Sequence, residues 1–175
     1  MHFNHYGGEA ALLAADLANS HSPTPVAPLA PLAPLLAARG ITDHDLTTAQ
    51  EDDLRAWSVR LAECFGPQDL PHRCARVNAL LAGASSSPRI SLHDGHPHFH
   101  YSAPAADPAA HVRALTAAGL AYVVCFAEAH RLGRCARTPC GIAFVDTSRN
   151  GRRAYCSVRC ANNDAVARHR ERRRR

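Results

Sequence analysis

The stretch CARTPCGIAFVDTSRNGRRAYCSVRC, residues 135–160, contains two closely spaced pairs of cysteines. Four residues separate Cys135 from Cys140, three separate Cys156 from Cys160, and fifteen lie between the two pairs. Two thiolate pairs at such spacing are a standard way for a small protein unit to wrap one tetrahedral Zn²⁺. We therefore predict that these four sulfurs bind a single zinc ion.

The fifteen-residue spacer between the pairs has the pattern of a β-hairpin. The apolar strand IAFVD precedes an Asn150-Gly151 turn that suits positive φ, and RRAYC follows as a returning strand. This hairpin would bring Cys156 back beside Cys140. Four cysteine ligands close the coordination shell and leave no position for an activated water, so the predicted zinc is structural rather than catalytic.

A basic helix is predicted after the second knuckle, over residues 160–172. Residues 131–175 contain thirteen Arg against three carboxylates, a net charge of +10, whereas residues 1–130 contain seven Arg against twelve carboxylates. A unit with this positive charge concentrates near polyanions and releases counterions when it binds DNA, which is therefore the expected partner. The expected contact residues are Arg149, Arg152, Arg153, Arg159, Asn162, Arg168, Arg170 and Arg172. Two simpler interpretations stay open: nearby arginines neutralise the zinc thiolates, and the end of the chain is a solvated basic tail.

The rest of the chain predicts an alanine-rich helical domain. The expected fold class is mainly α with a small β-hairpin (α+β), with residues 1–132 as the helical domain and 133–175 as a treble-clef-like four-cysteine zinc knuckle made of a hairpin and a basic helix. Apolar spacing, capping residues and glycine stops predict helices over residues 9–19, 48–65, 69–82 and 108–132, with Thr48 and Glu51 as a capping box and Gly133 as the last terminator. Residues 89–101 predict a hairpin. The prolines of residues 22–34 recur mostly at every third position, which favours a polyproline II linker.

Alternating histidines mark the predicted hairpin. His96, His98 and His100 would share one strand face, and with Asp16 and Asn19 of the first helix they form a candidate ligand pocket. The plainer interpretations are a polar strand face for the imidazoles and a cap or buried hydrogen-bond anchor for Asp16 and Asn19. The remaining cysteines are expected to be buried core residues; they are Cys64, Cys74 and Cys125.

The segment CARTPCGIAFVDTSRNGRRAYCSVRCANNDAVARHRERRR resembles the CGNR zinc finger, in which two cysteine pairs flank a DTSRNGRR-type turn and a basic helix follows. The preceding chain resembles the ABATE domain that accompanies this finger, through ADLANS, VNALLA before RISLHDGHPHFHY, and the last long helix. The resemblance implies a bacterial transcription regulator, described as stress-induced, with a zinc-stabilised DNA-binding tail. Where the family has Cys-Gly-Asn-Arg, this chain has Cys160-Ala161-Asn162-Asn163, which keeps the ligand and the Asn but not the Gly and the Arg.

Three functional hypotheses follow. The first is a DNA-binding transcription regulator whose N-terminal domain senses a small-molecule effector or a partner. The second is a small-molecule-binding protein or biosynthetic enzyme with its site in the N-terminal body and the finger as scaffold, and the third is a protein adaptor. No nucleophile elbow, phosphate loop or dinucleotide fingerprint is present, so an enzyme is the less favoured class. We expect a cytoplasmic, soluble protein without a membrane partner, and allow for a homodimer.

Overall fold

The computed structural model describes residues 5–20, 31–86, 88–92 and 95–174. Its helices are α1 (His5–Ser20), α2 (Leu32–Ala38), α3 (Thr48–Ala62), α4 (Leu70–Ala84), α5 (Pro108–Tyr122) and α6 (Val158–Arg172). Its strands are β1 (Arg89–Ser91), β2 (His98–His100), β3 (Leu132–Arg134) and β4 (Ala143–Val145). The predicted class, mainly α with small hairpins and a C-terminal four-cysteine knuckle, is confirmed. We call residues 5–130 the body and residues 131–174 the finger.

Helices α1 and α5 cross at the centre of the body, with α3 and α4 packed around them. The crossing is close because Gly119 has no side chain: a Cβ there would lie 2.6 Å from the backbone carbon of Ala10. Leu13 and Leu120 are fully buried at this centre, and the Trp57 indole donates to Thr116 Oγ1 at 3.0 Å. Small side chains therefore allow the close packing that the alanine-rich composition predicts.

Local capping residues start the helices. Asp69 and Asp107 accept backbone N–H bonds at the starts of α4 and α5, and Pro108 occupies the first helical position of α5. The capping box of α3 uses Thr47 with Gln50, so the box predicted at Thr48 and Glu51 is one residue late, although the helix itself begins at Thr48. The body hairpin is confirmed, and its register pairs residues 89–91 with residues 98–100.

The polyproline prediction for residues 22–34 is wrong at its C-terminal end, where Leu32, Ala33 and Pro34 begin α2. A proline in the first turn of a helix costs no hydrogen bond, because the N–H it lacks has no intrahelical partner there. Burial of Leu32 and Leu36 against the core favours the helix. The segment 22–30 lies outside the described residues.

The predicted helix over 108–132 ends early. After α5 the chain continues as a π-helical turn (Val123–Glu128) and a 3₁₀ turn (Ala129–Arg131) before β3. Glu128 has a φ of +81°, a left-handed conformation that stops the helix, and Gly133 is a strand residue rather than a terminator. Cys64 is buried as predicted and Cys74 half-buried, but Cys125 lies exposed on the π-helical turn, contrary to prediction.

The run from Pro108 to Arg131 is long and apolar enough to cross a membrane by length and composition alone. Its α5 part is the central helix of the body: the side chains of Val112, Ala117 and Leu120 are fully buried against other helices. Burial in a protein core explains this apolarity as well as a membrane would. The feature is therefore weak evidence for a membrane span.

Candidate metal centre and its basic surface

The β3–β4 hairpin presents the first cysteine pair. Its connecting loop is closed by backbone hydrogen bonds from Cys135 N to Ile142 O at 2.8 Å and from Cys140 N to Arg137 O at 2.7 Å. These bonds form a tight knuckle that points both thiols to one side. The hairpin that organises the metal centre therefore contains the first cysteine pair in its loop, whereas the sequence predicts a hairpin between the two pairs.

The second cysteine pair lies at the start of α6. The hydroxyl of Ser157 caps the helix by accepting from Cys160 N at 3.2 Å, so Cys160 occupies the first turn. The positive end of the helix dipole stabilises a thiolate at this position. Backbone Ala136 N donates to Ala154 O at 2.9 Å and holds the two knuckles together.

The four sulfurs converge on one point. Cys140 Sγ lies 3.7 Å from Cys156 Sγ and 3.7 Å from Cys160 Sγ, and the last two are 3.5 Å apart. All four sulfurs, including that of Cys135, lie within 4.8 Å of one another. A tetrahedron of sulfurs about 2.3 Å from zinc has edges of about 3.8 Å. The predicted ligand set fits one structural zinc ion.

The pKa values of two of these thiols are strongly shifted by their surroundings. Burial and the neighbouring thiols raise the pKa of Cys156 to about 12, whereas the Ser157 hydroxyl and the neighbouring thiols lower the pKa of Cys160 to about 6. Thiols this close cannot all ionise unless a positive charge lies between them. Arg137 Nη1, at 4.0 Å from Cys160 Sγ, supplies one further positive charge. Zinc at this centre would hold the two knuckles together and supply no activated water.

Asp146 organises the turn between the two cysteine pairs. Its buried carboxylate accepts from the backbone N–H of Ser148 at 2.8 Å and from that of Arg153 at 2.7 Å. Burial alone would raise the pKa of Asp146, but these hydrogen bonds and the charge of Arg131 outweigh it and lower that pKa. The Arg153 N–H therefore bonds to this carboxylate instead of to a partner strand, and the predicted returning strand RRAYC does not form.

Arg131 fills the inside of the same turn. Its buried guanidinium donates to the carbonyl of Asp146 at 3.0 Å and to that of Ser148 at 2.7 Å. Gly151, at φ +62°, passes so close that a Cβ there would lie 3.1 Å from the Arg131 guanidinium carbon. The positive φ of Gly151 was predicted from the Asn150-Gly151 turn, but nothing in the sequence indicated that Arg131 has a structural role.

An aromatic ring joins the hairpin to the turn. Phe144 lies opposite Gly133, and a Cβ at Gly133 would come within 2.6 Å of the ring. The Arg153 guanidinium lies 5.1 Å from the centroid of Phe144 and also donates to the carbonyls of Tyr155 and Cys156. Arg153, predicted as a DNA contact, is therefore engaged within the finger.

A polar cluster orients α6. The Tyr155 hydroxyl donates to Asp164 Oδ2 at 2.7 Å, and Arg168 pairs with the same oxygen at 2.8 Å. The hydrogen bond to Asp164 is the main reason why the pKa of Tyr155 is raised. Arg168 also donates to the Tyr155 hydroxyl at 3.3 Å, so this predicted DNA contact too has an intramolecular role.

The other predicted contact residues lie on the surface. Six of the predicted contact residues are exposed and have no side-chain hydrogen bond or ion pair within the described chain: Arg149, Arg152, Arg159, Asn162, Arg170 and Arg172. Only Cys160 of α6 is buried. The finger thus presents an exposed helix and an adjoining turn with several arginines whose charges nothing in the described chain neutralises.

These features define a class: a four-cysteine, treble-clef-like zinc finger attached to a helical body. The model of the CGNR zinc finger family matches residues 131–173 of this chain. No curated protein matches the chain. The family match covers the finger alone, so the resemblance of the body to the ABATE domain stays a prediction.

The two polar residues predicted for a ligand pocket have structural partners. Asp16 pairs with Arg39 Nε at 2.6 Å. The Asn19 side chain makes two hydrogen bonds with the backbone of Ala143, at 2.8 and 2.9 Å. Asn19 therefore attaches α1 to the finger, which agrees with the plainer interpretation of a hydrogen-bond anchor.

His98 and His100 do line a cleft. It has a volume of about 1130 Å³ and lies between α1, α5, the loop after α2, and the β1–β2 hairpin. The imidazoles contact each other, with His98 Nε2 2.9 Å from His100 Nε2, while His98 Nδ1 lies 2.9 Å from the carbonyl of His96. Among the described residues, the four cysteines are the only group of three or more metal-ligating side chains that converge.

Proposed function

We propose that this protein is a cytoplasmic DNA-binding transcription regulator, in which the zinc finger contacts DNA and the body senses an effector. The exposed arginines of α6 and of the turn before it carry the proposal. Unpaired guanidinium groups on a helix bind phosphate oxygens and guanine edges well, because their planar donors match both. The match to the CGNR zinc finger supports the same conclusion.

The arrangement of α6 suits a helix that enters a groove. Its first turn is attached to the metal centre, and the rest of the helix is exposed. Arg159, Asn162, Val166 and Arg170 follow one another at helical spacing and so share a face, opposite the face that carries Asp164 and Arg168. This face is long enough to contact both phosphates and base edges.

The structure divides the predicted contact residues into two groups. Arg153 and Arg168 stabilise the finger internally, which leaves Arg149, Arg152, Arg172 and the α6 face for DNA. Asn163, where the family has Arg, is exposed beside Arg159. We propose that this substitution weakens phosphate contact without removing the binding surface.

The test is the salt dependence of binding to duplex DNA, measured by fluorescence anisotropy with the zinc-loaded chain. Each phosphate contact contributes about −0.9 to the slope of log K against log salt concentration. Replacing both Arg159 and Arg170 by Gln should reduce the slope by about two and weaken binding at low salt. Replacing Arg55 and Arg76 of the body by Gln removes the same amount of charge and should leave both the slope and the affinity at low salt unchanged.

Two results would overturn this proposal. One is the absence of binding to mixed genomic fragments at low salt. The other is an equal loss of affinity in the finger and body double variants, because that result would reflect net charge alone rather than a surface on α6.

A second candidate function is a small-molecule-binding protein or enzyme with its site in the body, and the cleft beside His98 and His100 favours it. Replacing both histidines by Gln should abolish turnover if their imidazoles act as acid or base. The mutual hydrogen bond of these rings argues against that role. The His96 carbonyl can only accept a hydrogen bond, so His98 Nδ1 is the donor to it. The other nitrogen of neutral His98, Nε2, then accepts a hydrogen bond from His100. A general base would need that nitrogen to be free.

A further inference from the structure

The cleft in the body has a rigid floor. Ala10 and Leu13 of α1 and Ala118 and Gly119 of α5 line it, at the point where the two helices approach most closely. Because Gly119 has no Cβ, the backbone of α5 packs directly against that of Ala10, and this close contact fixes the position of the floor. The floor of the cleft is thus part of the core, and its walls are formed by loops and the β1–β2 hairpin.

One wall is held by an ion pair. Arg39 lies in the turn after α2. Its Nε donates to Asp16 at 2.6 Å and its Nη1 lies 3.4 Å from Glu9, and both of these acidic residues belong to α1. These two carboxylates hold the loop that continues through Asp43 along the cleft. The positive charge of Arg39 is thereby neutralised, and it has little left to offer a ligand.

The opposite wall has a different electrostatic character. Arg89 on β1 donates to the carbonyl of Ser102 and to His100 Nδ1, the latter at 3.4 Å. Both acceptors are neutral, and no carboxylate of the described chain pairs with this guanidinium. Two of its five N–H donors are used, so the others remain for a ligand. The hairpin side of the cleft therefore presents a positive charge with spare donors.

Aromatic rings line the rest of the cleft. Tyr122 at the end of α5 and Phe126 in the π-helical turn that follows have ring centroids 5.2 Å apart, and those of Phe99 and Tyr101 on the hairpin side are 5.9 Å apart. Phe126 is 65% exposed and Phe99 59% exposed, so large apolar rings face solvent. Exposed aromatic groups beside a concave surface usually mark a binding site.

From these observations we propose that the cleft binds a small aromatic anion. Arg89 pairs with its acid group, while Tyr122 and Phe126 pack against its ring. This inference rests on the sensing role given to the body above and names the chemical class of the effector. A bidentate contact between a guanidinium and a carboxylate supplies orientation, and ring contacts supply affinity.

The experiment compares three probes by isothermal titration calorimetry on the full zinc-loaded chain without DNA: 2-naphthoate, the neutral 2-naphthylmethanol and the cationic 2-naphthylmethylammonium. The wild-type chain should bind naphthoate at least about tenfold more tightly than the other two, since a charged hydrogen bond is worth roughly a factor of ten or more. Arg89→Met should remove this preference and leave binding of the alcohol nearly unchanged. Phe126→Ala should weaken binding of all three probes.

Matched variants keep the result interpretable. Arg76→Met removes a surface arginine of α4 and should leave all three affinities as in the wild type. Arg89→Lys, which keeps the charge, should retain part of the preference for naphthoate even where Arg89→Met disturbs the hairpin. Equal affinity for the three probes, no binding of any of them, or naphthoate binding unchanged in Arg89→Met would each overturn the proposal.

The DNA titration separates this proposal from the proposed function. If naphthoate binds through Arg89 but the chain binds no DNA, the cleft assignment stands and the regulator proposal fails. If the chain binds DNA but not naphthoate, the regulator proposal stands and the cleft assignment fails.

Discussion

Asn19 of α1 forms two hydrogen bonds with the backbone of Ala143 in β4: its Nδ2 donates to the carbonyl at 2.9 Å, and its Oδ1 accepts from the N–H at 2.8 Å. The amide thus satisfies both backbone groups of a buried residue. The same helix pairs with Arg39 at the cleft through Asp16, one turn earlier. A single helix therefore contacts the cleft wall at one point and the metal-binding hairpin at another.

Asn19→Ala should loosen the attachment of the finger to the body. The variant leaves the N–H and carbonyl of Ala143 without partners in a buried position, at a cost of about 1–3 kcal/mol for each group. We expect a lower free energy of unfolding in urea and faster hydrogen exchange at the Ala143 amide. Asn78→Ala on the exposed face of α4 is the control and should change neither the free energy of unfolding nor the exchange rate at Ala143. Normal exchange at Ala143 in the Asn19 variant would contradict this assignment.

Removal of one zinc ligand should unfold the finger alone. Cys140→Ser should lower the bound zinc from about one equivalent to near zero, because three thiolates rarely hold a structural zinc. Circular dichroism should then show the loss of α6 while the helices of the body persist. Zinc content is measured by a colorimetric chelator after denaturation.

The control for the zinc experiment is Cys125→Ser, which replaces an exposed cysteine that is not one of the four converging ligands. It should keep the full zinc content. A Cys140 variant that still holds one equivalent would refute the ligand assignment.

The parts of the structure that the sequence predicted are those that depend on local chemistry. Cysteine spacing identified all four ligands, and the Asp107-Pro108 pair located the start of α5. Each of these signals needs only a few neighbouring residues. The zinc ligands of the candidate site could therefore be predicted in full, and most helix starts to within a few residues, whereas α2 and the end of α5 were not predicted.

The features that the sequence missed depend on contacts between distant segments. Arg131 looked like surface charge but is buried against the turn after β4, and Arg73 is likewise buried, donating to carbonyls that include those of Gly66 and Leu132. The pairing of β3 with β4 was missed because each strand has only three residues and Gly133 resembled a helix terminator. No periodicity reports on such short strands.

Two glycines in helices should respond to alanine in opposite directions. Gly119→Ala places a Cβ 2.6 Å from the backbone of Ala10, where neither helix can yield, so we expect a destabilisation of at least about 2–3 kcal/mol. At Gly83 in α4 a Cβ would meet only the end of the Arg60 side chain, at 3.4 Å. Gly83→Ala should therefore stabilise by up to about 1 kcal/mol through helix propensity. Thermal and urea unfolding measure the change in stability of each variant. Equal changes in the two variants would contradict the close α1–α5 crossing.

The stability of the body should fall in alkaline solution because of Cys64. Burial raises the pKa of its thiol from 9.0 to about 11. Above pH 9 the unfolded chain ionises this thiol while the folded chain does not, so its stabilising contribution is complete below pH 9 and is lost as the pH rises through about 11. The loss approaches about 1.4 kcal/mol per pH unit in this interval.

Cys64→Ala isolates that contribution. The alanine variant is less stable than the wild type at pH 8 through lost packing, and the difference in unfolding free energy should shrink by about 2 kcal/mol between pH 8 and pH 10.5, since only the wild type loses the thiol contribution. Cys125→Ala, at an exposed position, should show no such convergence with the wild type. Urea unfolding at each pH, followed by circular dichroism of the body helices, gives the comparison. A difference that stays constant across this range would mean that Cys64 ionises as easily in the folded chain as in the unfolded one, and that the junction of α3 with the turn before α4 admits water.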